Sequence, residues 1–157
     1  ARLFSCTMRS LLHLLLLAVV AHGKWFNMTL INLCSTGIQP LIWNNAGLAY
    51  SPYVHGNSQK EVGNMPDTIF IQLRDITGNP AASGRTLTSI SQYDNPPRSS
   101  YYIDIGKGFD IGMHITPWDD LSLGTVSCTS ANCKTDGSAW FATNAYQGKF
   151  YVAFACD

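Results

Sequence analysis

Short runs of alternating apolar and polar residues, punctuated by turn signals, fill most of this chain. Residues 25–34 alternate in part and predict a strand, which Ser35-Thr36-Gly37 turns. Residues 40–43 predict a second short strand, and Asn44-Asn45-Ala46-Gly47 and Ser51-Pro52 mark loops. Residues 68–74 are rich in β-formers and end at Thr77-Gly78-Asn79-Pro80. Residues 85–93 alternate again, with Thr86, Thr88 and Ile90 on one face and Leu87, Ser89 and Ser91 on the other. Asp94-Asn95-Pro96-Pro97 stops them. Residues 101–105 and 109–115 predict two more strands split by Gly106-Lys107-Gly108, and residues 149–156 the last. No stretch carries a helical apolar period with caps. Turn signals recur about every 8–12 residues, the spacing of an all-β sandwich or barrel.

The N-terminus breaks this pattern. Leu11 to Ala21 is an apolar run interrupted only by His13, with Arg9 before it and Ala21-His22-Gly23 after it. A basic flank, an apolar stretch and small residues are the marks of a secretory leader. The run is about half the roughly 20 residues a membrane anchor needs. The expected division is a leader over residues 1–23, starting at Met8 if residues 1–7 are untranslated, and one domain over residues 24–157, or 157 − 23 = 134 residues. No later segment is apolar enough to span a bilayer, so an extracellular, soluble product is expected.

Composition then narrows the function. Charged residues make up 13% of the chain, and ten Lys and Arg balance ten Asp and Glu. Without a basic excess, nucleic acid is not an expected partner. Without the leader, Cys34, Cys128, Cys133 and Cys156 remain, an even count that reads as two disulfides in an exported chain. Three pairings exist. Proximity favours Cys128 with Cys133, which leaves Cys34 with Cys156. As a zinc signal this spacing is weak. Export also gives meaning to Asn27-Met28-Thr29, an acceptor sequence for N-glycosylation.

Candidate chemistry is sparse. There is no phosphate loop, no nucleophile elbow and no paired-histidine zinc motif, so neither a metal nor a cofactor is expected. His55 is expected in solvent and His114 at a sheet surface. Glycoside hydrolysis needs two facing carboxylates about 5–10 Å apart. Asp104 and Asp110 flank the Gly106-Lys107-Gly108 turn, and a hairpin there would point both into one space; Asp75, Asp119 and Asp120 are further candidates. Solvated turn aspartates are the competing explanation. Trp25, Trp43 and most Phe residues are expected in the core, whereas Trp118, between Pro117 and Asp119-Asp120, is expected to be exposed.

Three segments, in order, resemble the thaumatin-like family. Leu30-Ile31-Asn32-Leu33-Cys34 with Pro40-Leu41-Ile42-Trp43 is similar to its opening strands. The stretch from Tyr101-Tyr102-Ile103-Asp104-Ile105 to Gly108-Phe109-Asp110-Ile111-Gly112-Met113-His114-Ile115-Thr116-Pro117 resembles its central signature, and Tyr151-Val152-Ala153-Phe154-Ala155-Cys156 its closing strand. Plant members are longer and far richer in cysteine. This chain looks more like the small, cysteine-poor thaumatin-like antigens that fungi secrete. The resemblance implies an antiparallel β-sandwich without the disulfide-rich second region, and a bond between Cys34 and Cys156. Antifungal members carry an acidic cleft linked to β-1,3-glucan binding and weak glucanase activity. Asp104 matches one cleft Asp, and Arg74 stands near the family's Arg. Ser89 takes the place of its Glu, and Lys107 falls where a second Asp would be.

The expected function is therefore binding of a cell-wall polysaccharide, β-glucan-like, with a defence or host-interaction role. Arg74, Asp104, Asp110, Tyr102 and Trp118 are the candidate contacts. Two alternatives stand beside it: a weak endo-β-1,3-glucanase using Asp104 and Asp110, and a secreted effector, antigen or inhibitor that binds a host or microbial protein.

Overall fold

A computed structural model describes residues 25–47, 49–66, 68–73, 86–93, 96–106, 108–119, 123–133, 140–143 and 147–156; the side chain of Trp140 is not described. The expected leader, Arg74, Asp75, Lys107 and Asp120 lie outside these residues. The strands are β1 (Phe26–Asn32), β2 (Pro40–Trp43), β3 (Ala49–Tyr50), β4 (Ser58–Met65), β5 (Thr68–Leu73), β6 (Leu87–Tyr93), β7 (Arg98–Asp104), β8 (Gly112–Pro117), β9 (Val126–Cys128), β10 (Trp140–Thr143) and β11 (Lys149–Ala155). Among the described residues there is no helix, so none is long and apolar enough to cross a membrane.

Two sheets form. One runs β4-β1-β11-β8-β9 and the other β10-β7-β6-β5-β2-β3. Period-two alternation decides which side chains go between them. Phe26, Met28 and Leu30 of β1 and Phe150, Val152 and Phe154 of β11 point inward from the first sheet. Ile69 and Ile71 of β5, Ile90 of β6, and Tyr101 and Ile103 of β7 meet them from the second. Phe150 packs edge-on to Phe26 at 5.3 Å and to Tyr101 at 5.5 Å, which locks the layers together. Each such side chain contributes roughly 1.5–3 kcal/mol on burial. The antiparallel sandwich expected from the sequence is thus the architecture.

One ladder departs from the antiparallel rule. β1 and β11 pair in parallel, from Asn27 with Lys149 to Asn32 with Phe154. The disulfides are Cys34–Cys156, closing a separation of 122 residues, and Cys128–Cys133, closing one of 5. The β1–β11 ladder thus places these two strands side by side. At the last rung of the ladder, the fully buried Asn32 amide organises two loops. Its Nδ2 donates to the carbonyls of Thr36 (2.8 Å), His55 (3.0 Å) and Val54 (3.2 Å), while its Oδ1 accepts from Cys34 N–H (2.9 Å).

Three expectations need correction. Gly106-Lys107-Gly108 does not close a hairpin: β7 belongs to the six-stranded sheet and β8 to the five-stranded one, so the turn carries the chain across the sandwich. Trp25 is 59% exposed rather than buried, because it shares the outward parity of Asn27. Trp43 is half-buried on the outer face of β2, since its neighbour Ile42 takes the inward position.

Candidate functional site

The outer face of the six-stranded sheet gathers groups that are scattered in sequence. Inward-facing Ile42, Ile71, Thr88 and Ile103 alternate with outward-facing residues, and the registers align the latter into rows across the strands. Trp43 pairs with Phe70, Phe70 with Ser89, and Ser89 with Tyr102. Neighbouring strands are about 4.8 Å apart, so this row crosses four strands and about 14 Å. Trp43 and Phe70 stack with centroids 5.6 Å apart and planes at 28°. Beside it, Thr68, Ser91 and Ser100 form a second row. Ser89, between the half-buried Phe70 and Tyr102, is buried, as are Ser91 and Ser100 in the second row. At one margin, the Arg98 guanidinium lies 4.6 Å from the Tyr93 ring centroid. At the other, Asp104 closes β7 on the same face as Tyr102.

The two candidate carboxylates do different work. Asp104 Oδ1 accepts from Gly106 N–H at 2.7 Å, the local bond of a turn aspartate. Its other oxygen has no partner among the described residues. Asp110 sits in the crossover beyond the sheet. Its Oδ1 accepts from Thr86 N–H at 2.8 Å, while the Thr86 hydroxyl donates to the Ile111 carbonyl at 2.8 Å. Asp110 thereby anchors the crossover to the start of β6. The position opposite Tyr102, where the family resemblance calls for a Glu, is Ser89.

Trp118 is brought to neither. It follows β8 in the other sheet, six residues from Gly112 and so about 20 Å along the strand from the Asp110 end. As expected it is exposed, at 50%, and it packs edge-on to Tyr151 at 4.9 Å. His114 lies half-buried on that sheet's outer face, with Nδ1 2.8 Å from Ser127 Oγ, and His55 is exposed. Asn27 is exposed on the same face as Trp118. Among the described residues no three His, Cys, Asp or Glu side chains come together as a metal site. One ionisable group stands out in the core: burial pushes the Tyr101 phenol up to about 12, and its hydroxyl donates between the carbonyls of Gly124 (3.0 Å) and Leu123 (3.1 Å).

Trp43, Phe70 and Ser89 join this face only through strand registers. Parity alone would have placed Phe70 outward, between Ile69 and Ile71, but nothing in the sequence sets β2 beside β5.

The five- and six-stranded sheets, clamped by Cys34–Cys156, make up the thaumatin-like fold. The structure is similar to that of the thaumatin-like xylanase inhibitor TLXI, with a TM-score of 0.63 and 17% identity, covering 82% of this chain and 99% of that one. It is also similar to the protein elicitor MoHrip2 from Magnaporthe oryzae, with a TM-score of 0.62 and 9% identity, covering 83% and 99%. No family model matches the sequence, and no curated protein matches it.

Proposed function

We propose that this chain is a secreted thaumatin-like protein that binds a cell-wall polysaccharide of the β-glucan type on the outer face of its six-stranded sheet, in a defence or host-interaction role. The row from Trp43 through Phe70 to Tyr102 carries this reading. The apolar faces of pyranose rings present C–H groups to the negative faces of aromatic rings. A row running across strands offers such contacts at successive points along an extended glycan. Asp104, at the margin, offers sugar hydroxyls a carboxylate oxygen that has no partner among the described residues. Two engaged carboxylates on different elements, with Ser89 where a Glu would stand, favour binding over hydrolysis.

The test is retention on insoluble β-1,3-glucan. Trp43→Ala and Tyr102→Ala are each expected to weaken retention about tenfold, the loss of roughly 1.4 kcal/mol of ring contact. Trp118→Ala, on the opposite sheet, leaves it unchanged. Retention no better than that of serum albumin overturns the reading. A second reading follows from the solved neighbours, one named as a xylanase inhibitor and one as an elicitor: a protein ligand on the same scaffold. Inhibition of a purified xylanase, with no glycan retained, selects it.

A further inference from the structure

We propose that Asn27 carries an N-linked glycan whose first sugar packs on the indole of Trp25. The inference shares only the assumption of export with the function proposed above. Strand parity sets the geometry. Phe26 and Met28 are buried, while Trp25 and Asn27 turn outward together, about 6.7 Å apart along the chain. Trp25 is the most exposed large apolar side chain described, at 59%, and among the described residues its ring has no aromatic partner. The Asn27 side-chain amide likewise makes no hydrogen bond among the described residues, and it borders a hollow of about 100 Å³ shared with Thr29, Glu61, Gly63 and Lys149.

The other side of Asn27 is already occupied. Lys149, its partner on β11, places its ammonium 3.8 Å from Glu61 and 5.8 Å from the Trp118 centroid. A sugar on Asn27 therefore meets a charged pair on one side and a bare indole on the other. The apolar face of N-acetylglucosamine suits the indole. In the transfer, Asn27 Nδ2 bonds to C1 of the sugar at the reducing end of a lipid-pyrophosphate oligosaccharide. The sugar–phosphate bond breaks, the lipid pyrophosphate leaves with its electron pair, and one amide proton passes to a base of the transferase.

Timing supports the site. In the finished sheet Thr29 is 3% exposed and Asn27 N–H donates to the Gly148 carbonyl, so the acceptor sequence must be read before folding ends. Of the two strands that flank it, β4 and β11, the second is made long after it. Lys149 follows Asn27 by 122 residues (149 − 27), which take ~6–24 s at ~5–20 residues per second. Once in place, the glycan would screen the Trp118 face and leave the six-stranded face open.

The full chain secreted from a eukaryotic host tests this. Amidase treatment in ¹⁸O water is expected to convert Asn27 to labelled Asp in most molecules; an unmodified Asn27 peptide overturns the site. Trimming to the first sugar is expected to leave Tm unchanged, whereas removing that sugar lowers it by about 2–5 °C relative to the intact form. An Asn27→Asp variant corrects for the charge that the amidase leaves. In Trp25→Ala the glycan remains and the shift disappears; a shift that persists there overturns the contact. Asn27→Gln is expected to keep its glucan retention, so loss of the site and loss of the proposed function read out separately.

Discussion

Removing Cys34–Cys156 and Cys128–Cys133 separately, as Cys34→Ala/Cys156→Ala and Cys128→Ala/Cys133→Ala, tests what holds this sandwich closed. Each disulfide joins one buried sulfur, Cys34 or Cys128, to one less buried, so the packing lost is comparable. The loops are not. Separations of 122 and 5 residues convert, in the chain-entropy treatment, to about 5 and about 2 kcal/mol of stabilisation. The proposed domain over residues 24–157, 134 residues, would unfold with an entropy of about 0.28 kcal/mol/K, so the expected falls in Tm are about 18 °C and about 7 °C. Scanning calorimetry of both variants against the unaltered protein, at one pH and with a reversibility check, measures the two. The expected order follows from the first strand lying against the last. Equal falls, or a larger fall for the short loop, would refute it, because residual structure in the unfolded chain would then already hold the ends together.

Two further outcomes follow from groups in the interior. Asn32→Ala removes at once a donor shared by three carbonyls and the acceptor of one N–H and should cost about 2–4 kcal/mol in urea denaturation; Asn32→Asp, which cannot donate, should do no better, and a loss below 1 kcal/mol in both, read against roughly that much for one ordinary bond, would show that water replaces the amide. Tyr101 gives a pH dependence. Its folded pKa of about 12 lies above the unfolded value of 10.0, so the unfolded chain loses its proton first. The resulting stability is complete below about pH 10 and disappears as pH rises towards 12, a loss of roughly 2–3 kcal/mol. Tyr101→Phe should be less stable by about 1 kcal/mol at neutral pH yet lack this alkaline loss, and parallel urea midpoints for the two proteins across that range would disprove the assignment.

Much of the fold was legible because alternation is a local signal. In β6 the faces read from the sequence, with Thr88 and Ile90 together and Ser89 and Ser91 opposite, are those observed. β4 was not legible for a physical reason. It is an edge strand paired only with β1, so its Ser58-Gln59-Lys60-Glu61 half faces water and carries charges that discourage further pairing. Gly63, at φ 71°, and the register shift between Asn27 and Thr29 break its pattern further. At the candidate site, Tyr102 and Asp104 could be read from their own strand. The aromatic row could not, since it depends on which strands are neighbours. For the same reason the glycine turn after Asp104 announced a reversal but not that the chain changes sheet there. Trp25 and Trp43 face outward because their neighbours Phe26 and Ile42 take the inward positions.

The parallel pairing of the terminal strands, with a covalent bond at its far end, also sets how the molecule bears tension. Force applied at the two ends enters along β1, reaches Cys34, crosses to Cys156 and leaves. The 122-residue span between those sulfurs carries none of it, and β1 is already extended, so an oxidised molecule would hardly lengthen. Reduction brings the whole span into the load path, up to about 400 Å of slack. Ends that run in parallel are then loaded in shear, with the rungs of the β1–β11 ladder sharing the strain together rather than parting one by one.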